Sequence, residues 1–164
     1  MRKKVDSRFI DTINENAAIL HKIGCMYCDT NEDREDLKQE ILFQLWKSFP
    51  KFKGQSAVST WIYRVALNTA ITFLKKEQRD ISKIEPCPVL MLVNNNEEDE
   101  QLTERLSAMH QAIGKLSNVD KALVTLYLEN KSYEEISEIM GISQVNARVK
   151  LNRIKERLKK LMKN

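Results

Sequence analysis

The sequence predicts an all-α protein, with two small helical domains joined by a flexible linker. Only four Gly and three Pro occur in 164 residues, too few for the many turns of a strand-rich fold. Apolar residues recur at helical spacing along most of the chain, and 42% of all residues are hydrophobic, enough for packed cores. This spacing fails within 81–108, where six acids outnumber two bases. We therefore expect domains at 1–80 and 109–164 around an acidic linker at 81–108.

Three helices are expected in the first domain, at about 6–28, 32–49 and 57–79. The first carries an apolar stripe formed by Phe9, Ile13, Ala17, Leu20 and Ile23. The second is expected to be capped by Asn31 and stopped by Pro50. After a loop, the third is expected to bury a stripe formed by Val58, Ile62, Val65, Thr69 and Phe73.

Helices are expected again at about 100–114, 118–129, 133–140 and 144–162, of which the first begins within the acidic linker and the others lie in the second domain. Ser117 or Asn118 can cap the second of these, and Ser132 with Glu135 forms a capping box for the third. Ahead of these helices, the apolar run 89–93 within the linker is a segment that could dock on one of the domains.

The last two helices have the pattern of a helix-turn-helix. Ser137 is small where the helices would approach each other, and Gly141 lies in the turn, where a positive φ is cheap for glycine. A helical wheel places Ala147, Leu151, Ile154, Leu158 and Leu161 on the core side of the last helix. An ordinary helical hairpin remains the alternative interpretation of this segment.

The outward face of the last helix has the residue types of a surface that reads DNA. It carries Val145 and Val149, which can contact thymine methyl groups, beside Asn152, Arg153 and Arg148, which can bind base edges. Eight basic side chains and one acid lie within 144–164, and the later ones could meet phosphates. The alternative is a solvated basic face without a ligand.

The third helix of the first domain combines aromatic, cationic and amide groups. Trp61, Arg64 and Asn68 share one face at i, i+3, i+7 spacing, a set suited to unstacked bases of a nucleic acid. Taken alone, Trp61 and Tyr63 are better explained as core residues.

Three segments resemble the extracytoplasmic-function group of bacterial sigma factors. Residues 36–40, continuing through Phe43 and Trp46, resemble the segment of that family that docks on the clamp of core RNA polymerase. Residues 52–56 and 60–68 resemble its loop and helix for the promoter's minus-ten element. Residues 132–136, 141–143 and 148–155 resemble its helix-turn-helix for the minus-thirty-five element.

The resemblance implies an alternative-sigma transcription initiation factor that binds core polymerase, directs it to promoters and helps melt the minus-ten element. For the polymerase it implies contacts from Asp36, Gln39, Glu40 and Trp46. For the minus-ten element it implies Phe52, Lys53, Gln55, Ser56, Trp61, Arg64 and Asn68. For the minus-thirty-five element it implies Arg148, Val149, Lys150, Asn152, Arg153 and Lys155. Asn146, Ala147 and Val149 depart from the family's usual residues, which bears on the DNA sequence that is recognised.

Further expectations follow for partners and chemistry. The resemblance implies promoter DNA, core RNA polymerase and an anti-sigma factor as partners. Three Cys, an odd number, make a reducing cytoplasm the expected location, and no apolar run approaches the ~20 residues of a membrane span, so we expect no direct membrane insertion. The sequence has no phosphate-cradling glycine loop, completed metal site or nucleophile–base pair, so we expect no enzyme, cofactor or metal. A helix-turn-helix regulator with an N-terminal sensing domain is the alternative function, and segments 36–40 and 52–68 argue against it.

His21, Cys25 and Cys28 lie at i, i+4, i+7 spacing on one helical face. Such a set could ligate zinc if a fourth ligand came from elsewhere, with Cys87 and His110 as distant candidates. A redox switch between Cys25 and Cys28 is a second possibility. We expect neither, because two small hydrophobic side chains on a helix and a surface histidine are the simpler explanation of the pattern.

Overall fold

The computed structural model describes residues 2–76 and 97–163, and it describes side chains within 7–74 and 100–163. Every regular element in this part of the chain is helical, as predicted. The chain divides into two compact units, Met1–Ile84 and Glu85–Asn164. The helices are α1 (Arg2–Glu15), α2 (Ala17–Tyr27), α3 (Asn31–Ser48), α4 (Val58–Lys76), α5 (Glu97–Gly114), α6 (Asn118–Leu128), α7 (Tyr133–Met140) and α8 (Gln144–Lys163).

In the first unit, α2, α3 and α4 pack against one another around a core of large apolar side chains. The fully buried members are Leu20, Ile23, Leu37, Ile41, Leu45, Ile62 and Leu67. A short 3-10 turn, Phe49–Lys51, follows α3 and contains Pro50, as the sequence predicted for the end of that helix. Burial of this kind stabilises each side chain by about 1.5–3 kcal/mol relative to exposure.

The single helix predicted at 6–28 is wrong, because the chain forms two helices that break at Asn16. Its backbone leaves the helical region (φ −117°, ψ 15°), and its side chain donates to the carbonyl oxygen of Thr12 at 2.9 Å. Asparagine competes in this way for backbone groups, which explains the break. Ala17, predicted to be in the core, is exposed.

Two further details of the first unit differ from the prediction. Thr30 rather than Asn31 caps α3, and its hydroxyl accepts from the backbone N–H of Asp33 at 3.1 Å. The buried face of α4 is rotated from the predicted stripe, because Tyr63, Ala66, Leu67 and Ala70 are buried while Val58 is exposed. Ile62 is the only member of the predicted stripe that is fully buried.

In the second unit, α5 and α6 pack on α8, and α7 packs on both α6 and α8. Ser117 caps α6 by accepting from the backbone N–H of Asp120 at 3.2 Å. The end of the predicted linker, 97–108, is helical, because its acids stand in the first turn of α5, where the helix dipole favours negative charge. The rest of that linker, including the apolar run 89–93, lies outside the described residues.

Candidate nucleic-acid and polymerase-binding sites

The turn between α7 and α8 has the geometry that the helix-turn-helix prediction requires. Gly141 adopts φ +67°, in the left-handed region that favours glycine. Its N–H donates to the carbonyl oxygen of Ser137 at 2.9 Å, and the Ser137 hydroxyl donates to the carbonyl oxygen of Ile142. On the α8 side, the Ser143 hydroxyl accepts from the backbone N–H of Asn146 at 3.1 Å. These bonds fix α8 relative to α7.

The start of α7 is fixed by the predicted capping box. The Ser132 hydroxyl accepts from the backbone N–H of Glu135 at 3.1 Å, and the Glu135 carboxylate accepts from the backbone N–H of Ser132 at 2.8 Å. This second bond, together with the charge of Lys131, lowers the pKa of Glu135. The carboxylate form therefore stabilises the helix start.

The two faces of α8 agree with the helical wheel. Ala147, Leu151 and Ile154 are buried, while Leu158 and Leu161 at the end of the helix are partly exposed. Val145 is 74% exposed and Val149 is 42% exposed on the opposite side. The polar members of this outward face, all exposed, are Arg148, Asn152, Arg153 and Glu156. The helix therefore presents apolar, amide and guanidinium groups together.

The flank of α8 makes contacts that the sequence did not predict. The Arg148 guanidinium lies over the ring of Tyr133, 4.9 Å from its centroid. Two turns further along, the Lys155 ammonium lies over the ring of Tyr127 at 3.9 Å. Lys150 and Lys155 are only partly exposed, in contrast to the other four predicted minus-thirty-five residues. These contacts join different helices, so helical spacing could not reveal them.

A continuous series of aromatic rings joins three segments of the first unit. Phe9 of α1 lies edge-on to both Trp46 and Phe49, with centroid distances of 5.1 and 5.3 Å. Trp61 of α4 contacts Phe49 at 6.0 Å and stacks on Phe52 at 4.8 Å. The series connects the segment that resembles a polymerase-docking helix with the segment that resembles a minus-ten reader.

The predicted minus-ten residues lie on the loop 52–57 and on one side of α4. Lys53, Gln55, Arg64 and Asn68 are exposed, and Ser56 is partly exposed. Gly54 adopts φ +71°, which allows a tight bend in the loop. Phe52 covers one face of the Trp61 ring, so a base that stacks on that face must displace Phe52.

The predicted polymerase-binding residues lie along α3. Asp36, Gln39 and Trp46 are exposed, and Glu40 is partly exposed and accepts from Nε2 of Gln44 at 2.9 Å. Leu37, Ile41 and Leu45 are buried, as expected for the inward face of the same helix. Two large apolar side chains that the prediction did not include among its contact residues, Phe43 of α3 and Ile10 of α1, are 57% and 55% exposed.

The histidine and cysteine cluster forms no metal site in the part of the chain that the structure describes. The Sγ atom of Cys25 lies 3.7 Å from Nε2 of His21, and Cys28 is buried. Cys28 is not part of a disulfide, so the two cysteines of this cluster are not joined to each other. The redox switch between Cys25 and Cys28, which the sequence analysis did not favour, stays a hypothesis.

Family models match both units. The model of sigma-70 region 2 matches residues 12–80, and the model of sigma-70 region 4 matches residues 106–158. These two regions define a sigma factor, a class of transcription initiation factor.

Similarity to known proteins shows to which group of sigma factors the chain belongs. The chain is 30% identical over 138 residues to the ECF RNA polymerase sigma-E factor of Haemophilus influenzae, covering 77% of this chain and 73% of that protein. It is 24% identical over 156 residues to the RNA polymerase sigma factor SigV of Bacillus subtilis, covering 93% and 91%. The chain belongs to the family of extracytoplasmic-function sigma factors.

Solved structures share the fold. The sigma factor RpoE from Bartonella quintana, crystallised with the anti-sigma factor NepR, matches with a TM-score of 0.69 and 17% identity, covering 98% of both chains. CnrH, in complex with the cytosolic domain of CnrY, matches with a TM-score of 0.66 and 16% identity, covering 96% of this chain and 89% of that one. None of the helices described for this chain has the length and apolar character of a membrane span.

Proposed function

We propose that this sigma factor binds core RNA polymerase and the minus-ten element through residues 1–80 and reads the minus-thirty-five element through residues 109–164. The observation that carries the proposal is the outward face of α8, where two exposed valines stand among guanidinium and amide groups. Exposed apolar side chains that are grouped with hydrogen-bond donors on one helix face are expected of a surface that contacts a ligand.

In the proposed minus-thirty-five complex, α8 enters the major groove. Arg148, Val149, Asn152 and Arg153 contact base edges, because they form the exposed outward face of α8. Lys150 and Lys155 lie on the two flanks and are placed to meet phosphates beside the groove. Lys159, which pairs with Glu156 at 3.0 Å, can exchange that exposed partner for a phosphate at little cost.

In the proposed minus-ten complex, the loop 52–57 receives an extruded base of the non-template strand. The exposed Lys53 and Gln55 can bind its phosphate and edge, and the Phe52–Trp61 stack offers a ring surface. Arg64 and Asn68 continue the exposed polar face along α4. The free energy of these contacts offsets the cost of unpairing and unstacking.

The polymerase contact is assigned to the exposed side of α3. Asp36 and Gln39 supply polar groups, Glu40 lies between them and the apolar end of the surface, and Trp46 supplies a ring anchored by Phe9. A polar rim beside a large aromatic side chain is the composition expected of an interface hot spot.

Membership of the family supports two further proposals, on how the chain is regulated and on where in the cell it works. RpoE was crystallised with an anti-sigma factor, and we propose that an anti-sigma factor also binds this chain. We further propose that the chain works in the cytoplasm, where the polymerase is, and that it is no enzyme. Polymerisation would be carried out by the core enzyme.

Charge reversal on α3 tests the polymerase contact. Asp36→Lys should weaken retention of the full-length chain by immobilised core RNA polymerase at least several-fold. Glu35→Lys is the matched control, because it makes the same change on the same helix but on the side that faces α2, beside His21 and Lys38. Equal retention of both variants, with unchanged melting curves, would refute the assignment.

Permanganate footprinting tests strand opening, on a promoter recovered by sequencing DNA bound to the reconstituted holoenzyme. Asn68→Ala should leave polymerase binding intact and abolish thymine reactivity on linear duplex. Thr72→Ala, an exposed change one turn further along α4, is the control and should open the duplex normally. Rescue of Asn68→Ala on a pre-melted bubble assigns the defect to opening, and failure on both templates assigns it to single-strand capture. Normal opening by Asn68→Ala would exclude the proposed role.

A further inference from the structure

The Arg148 side chain of α8 contacts an aromatic ring of α7, the other helix of the helix-turn-helix. It belongs to the second turn of α8, and its guanidinium carbon lies 4.9 Å from the ring centroid of Tyr133, the first residue of α7. Arg148 is exposed and Tyr133 is partly exposed, so the pair lies at the surface, at the edge of the outward face. Neither the sequence pattern nor the proposed DNA contacts above gave Tyr133 a role.

Both members of the pair are anchored to rigid structure. Tyr133 directly follows the Ser132 cap, whose reciprocal bonds with Glu135 fix the first turn of α7. Arg148 directly follows Ala147, which is fully buried against the core of the unit. Because both backbones are fixed, the ring stands at a constant place beside the arginine.

An arginine side chain on a free surface has many rotamers, and fixing one of them on binding costs affinity. A ring that covers one face of the guanidinium restricts those rotamers, while the N–H groups at the edge stay available for hydrogen bonds. Guanine is the base whose O6 and N7 atoms accept both bonds of an arginine fork. The ring thus favours the arrangement that bidentate recognition requires.

We propose that Tyr133 is a positioning residue for specificity, which presents the Arg148 guanidinium pre-ordered to one guanine of the minus-thirty-five element. The inference rests on the proposed function, because it requires that α8 reads DNA. Loss of a cation–π stack at an exposed site should lower the affinity ratio between guanine and the other bases at that one position by about two- to five-fold.

The second unit contains its own control. Lys155 lies over the Tyr127 ring at 3.9 Å, so Tyr127 makes a comparable contact with a cation of the same helix. An ammonium is a point charge and has no planar fork for a base edge. Loss of the Tyr127 ring should therefore leave base preference unchanged.

The experiment selects binding sites from a duplex library that is randomised in the upstream element. Full-length protein is assembled with core RNA polymerase and the selected DNA is sequenced. Arg148→Ala should lose the preference for guanine at one position. Tyr133→Leu and Tyr133→Gln should reduce the same preference about two- to five-fold, Tyr133→Phe should retain it, and Tyr127→Leu should leave every position unchanged. Adding Tyr133→Leu to Arg148→Ala should change nothing more.

Several outcomes overturn the inference. If Tyr133→Phe loses the guanine preference as Tyr133→Leu does, the tyrosine hydroxyl and not the ring positions Arg148. If Tyr133→Leu and Tyr133→Gln weaken all sequences equally, or lower the melting temperature in proportion to binding, the role is structural. A wild-type protein that selects a motif without the Arg148 guanine refutes the inference alone, whereas one that selects no upstream motif refutes the proposed function and the inference with it.

Discussion

Arg34 holds the turn between α2 and α3, and its replacement by methionine gives a prediction whose size follows from its contacts. The residue is only 8% exposed, and its guanidinium donates to the carbonyl oxygens of Cys28 and Asp29 at 3.0 and 3.2 Å. A third bond of 3.0 Å reaches Oδ1 of Asn31. Methionine keeps much of the aliphatic stem but donates no hydrogen bond, so both carbonyl groups lose this partner.

A buried polar group that loses its partner costs about 1–3 kcal/mol. The carbonyl of Cys28 belongs to a fully buried residue, while Asp29 is exposed and water can replace part of its bond. We therefore expect Arg34→Met to lower the free energy of unfolding of the first unit by about 2–4 kcal/mol. Lys38→Met is the control, because that side chain is 48% exposed and its 3.7 Å pair with Glu35 contributes about 0–0.5 kcal/mol.

Urea unfolding followed by tryptophan fluorescence measures this change selectively. The chain has two tryptophans, Trp46 and Trp61, and both belong to the first unit, so the signal reports that unit alone. Arg34→Met should move the midpoint strongly and Lys38→Met should not. A loss below about 1 kcal/mol for Arg34→Met would show that the turn does not depend on the three bonds.

The remaining predictions concern the second unit and the polymerase surface. Gly141→Ala should destabilise the second unit by about 1 kcal/mol, because alanine is strained at the positive φ although its Cβ would meet no other atom. Gly114→Ala is the control and should cost nothing. Equal unfolding midpoints of the two variants, measured by circular dichroism, would contradict this. The pKa of Glu135 is lower in the folded protein than in the unfolded chain, where it is about 4.3. The carboxylate therefore contributes stability above a pH of about 4.3, and this contribution is lost as the pH falls through the lower folded pKa. Glu135→Gln should remove this acid dependence. Phe43→Ser should leave unfolding within about 0.5 kcal/mol and reduce co-purification with core polymerase, and undiminished recovery would exclude Phe43 from the interface.

Local signals in the sequence were sufficient where one residue decides the structure. The capping box at Ser132, the end of α3 at Pro50 and the turn at Gly141 were each predicted, because each depends on short-range hydrogen bonds or backbone sterics. The two faces of α8 were also predicted, since a clear apolar stripe separates them.

The sequence did not predict features that depend on side chains competing for backbone hydrogen bonds or on contacts between helices. Asn16 breaks a helix whose apolar spacing continues through it, because its side chain captures a backbone carbonyl. The inward face of α4 was misassigned, since the buried face includes the small Ala66 and Ala70 beside Leu67, and small residues give a weak apolar signal. The ring of Tyr133 meets Arg148 only after the turn has folded, so no periodicity could reveal the pair.

Reconstituted transcription tests the central claim most directly. Purified full-length chain is added to sigma-free core RNA polymerase from the same organism, with fragmented genomic DNA as template, and transcript start sites are sequenced. The account predicts start sites that appear only with the chain present, each preceded by one shared minus-ten and one shared minus-thirty-five motif, and lost with Asn68→Ala. Start sites that are identical with and without the chain, from a polymerase shown to bind it, would contradict its assignment as an initiation factor.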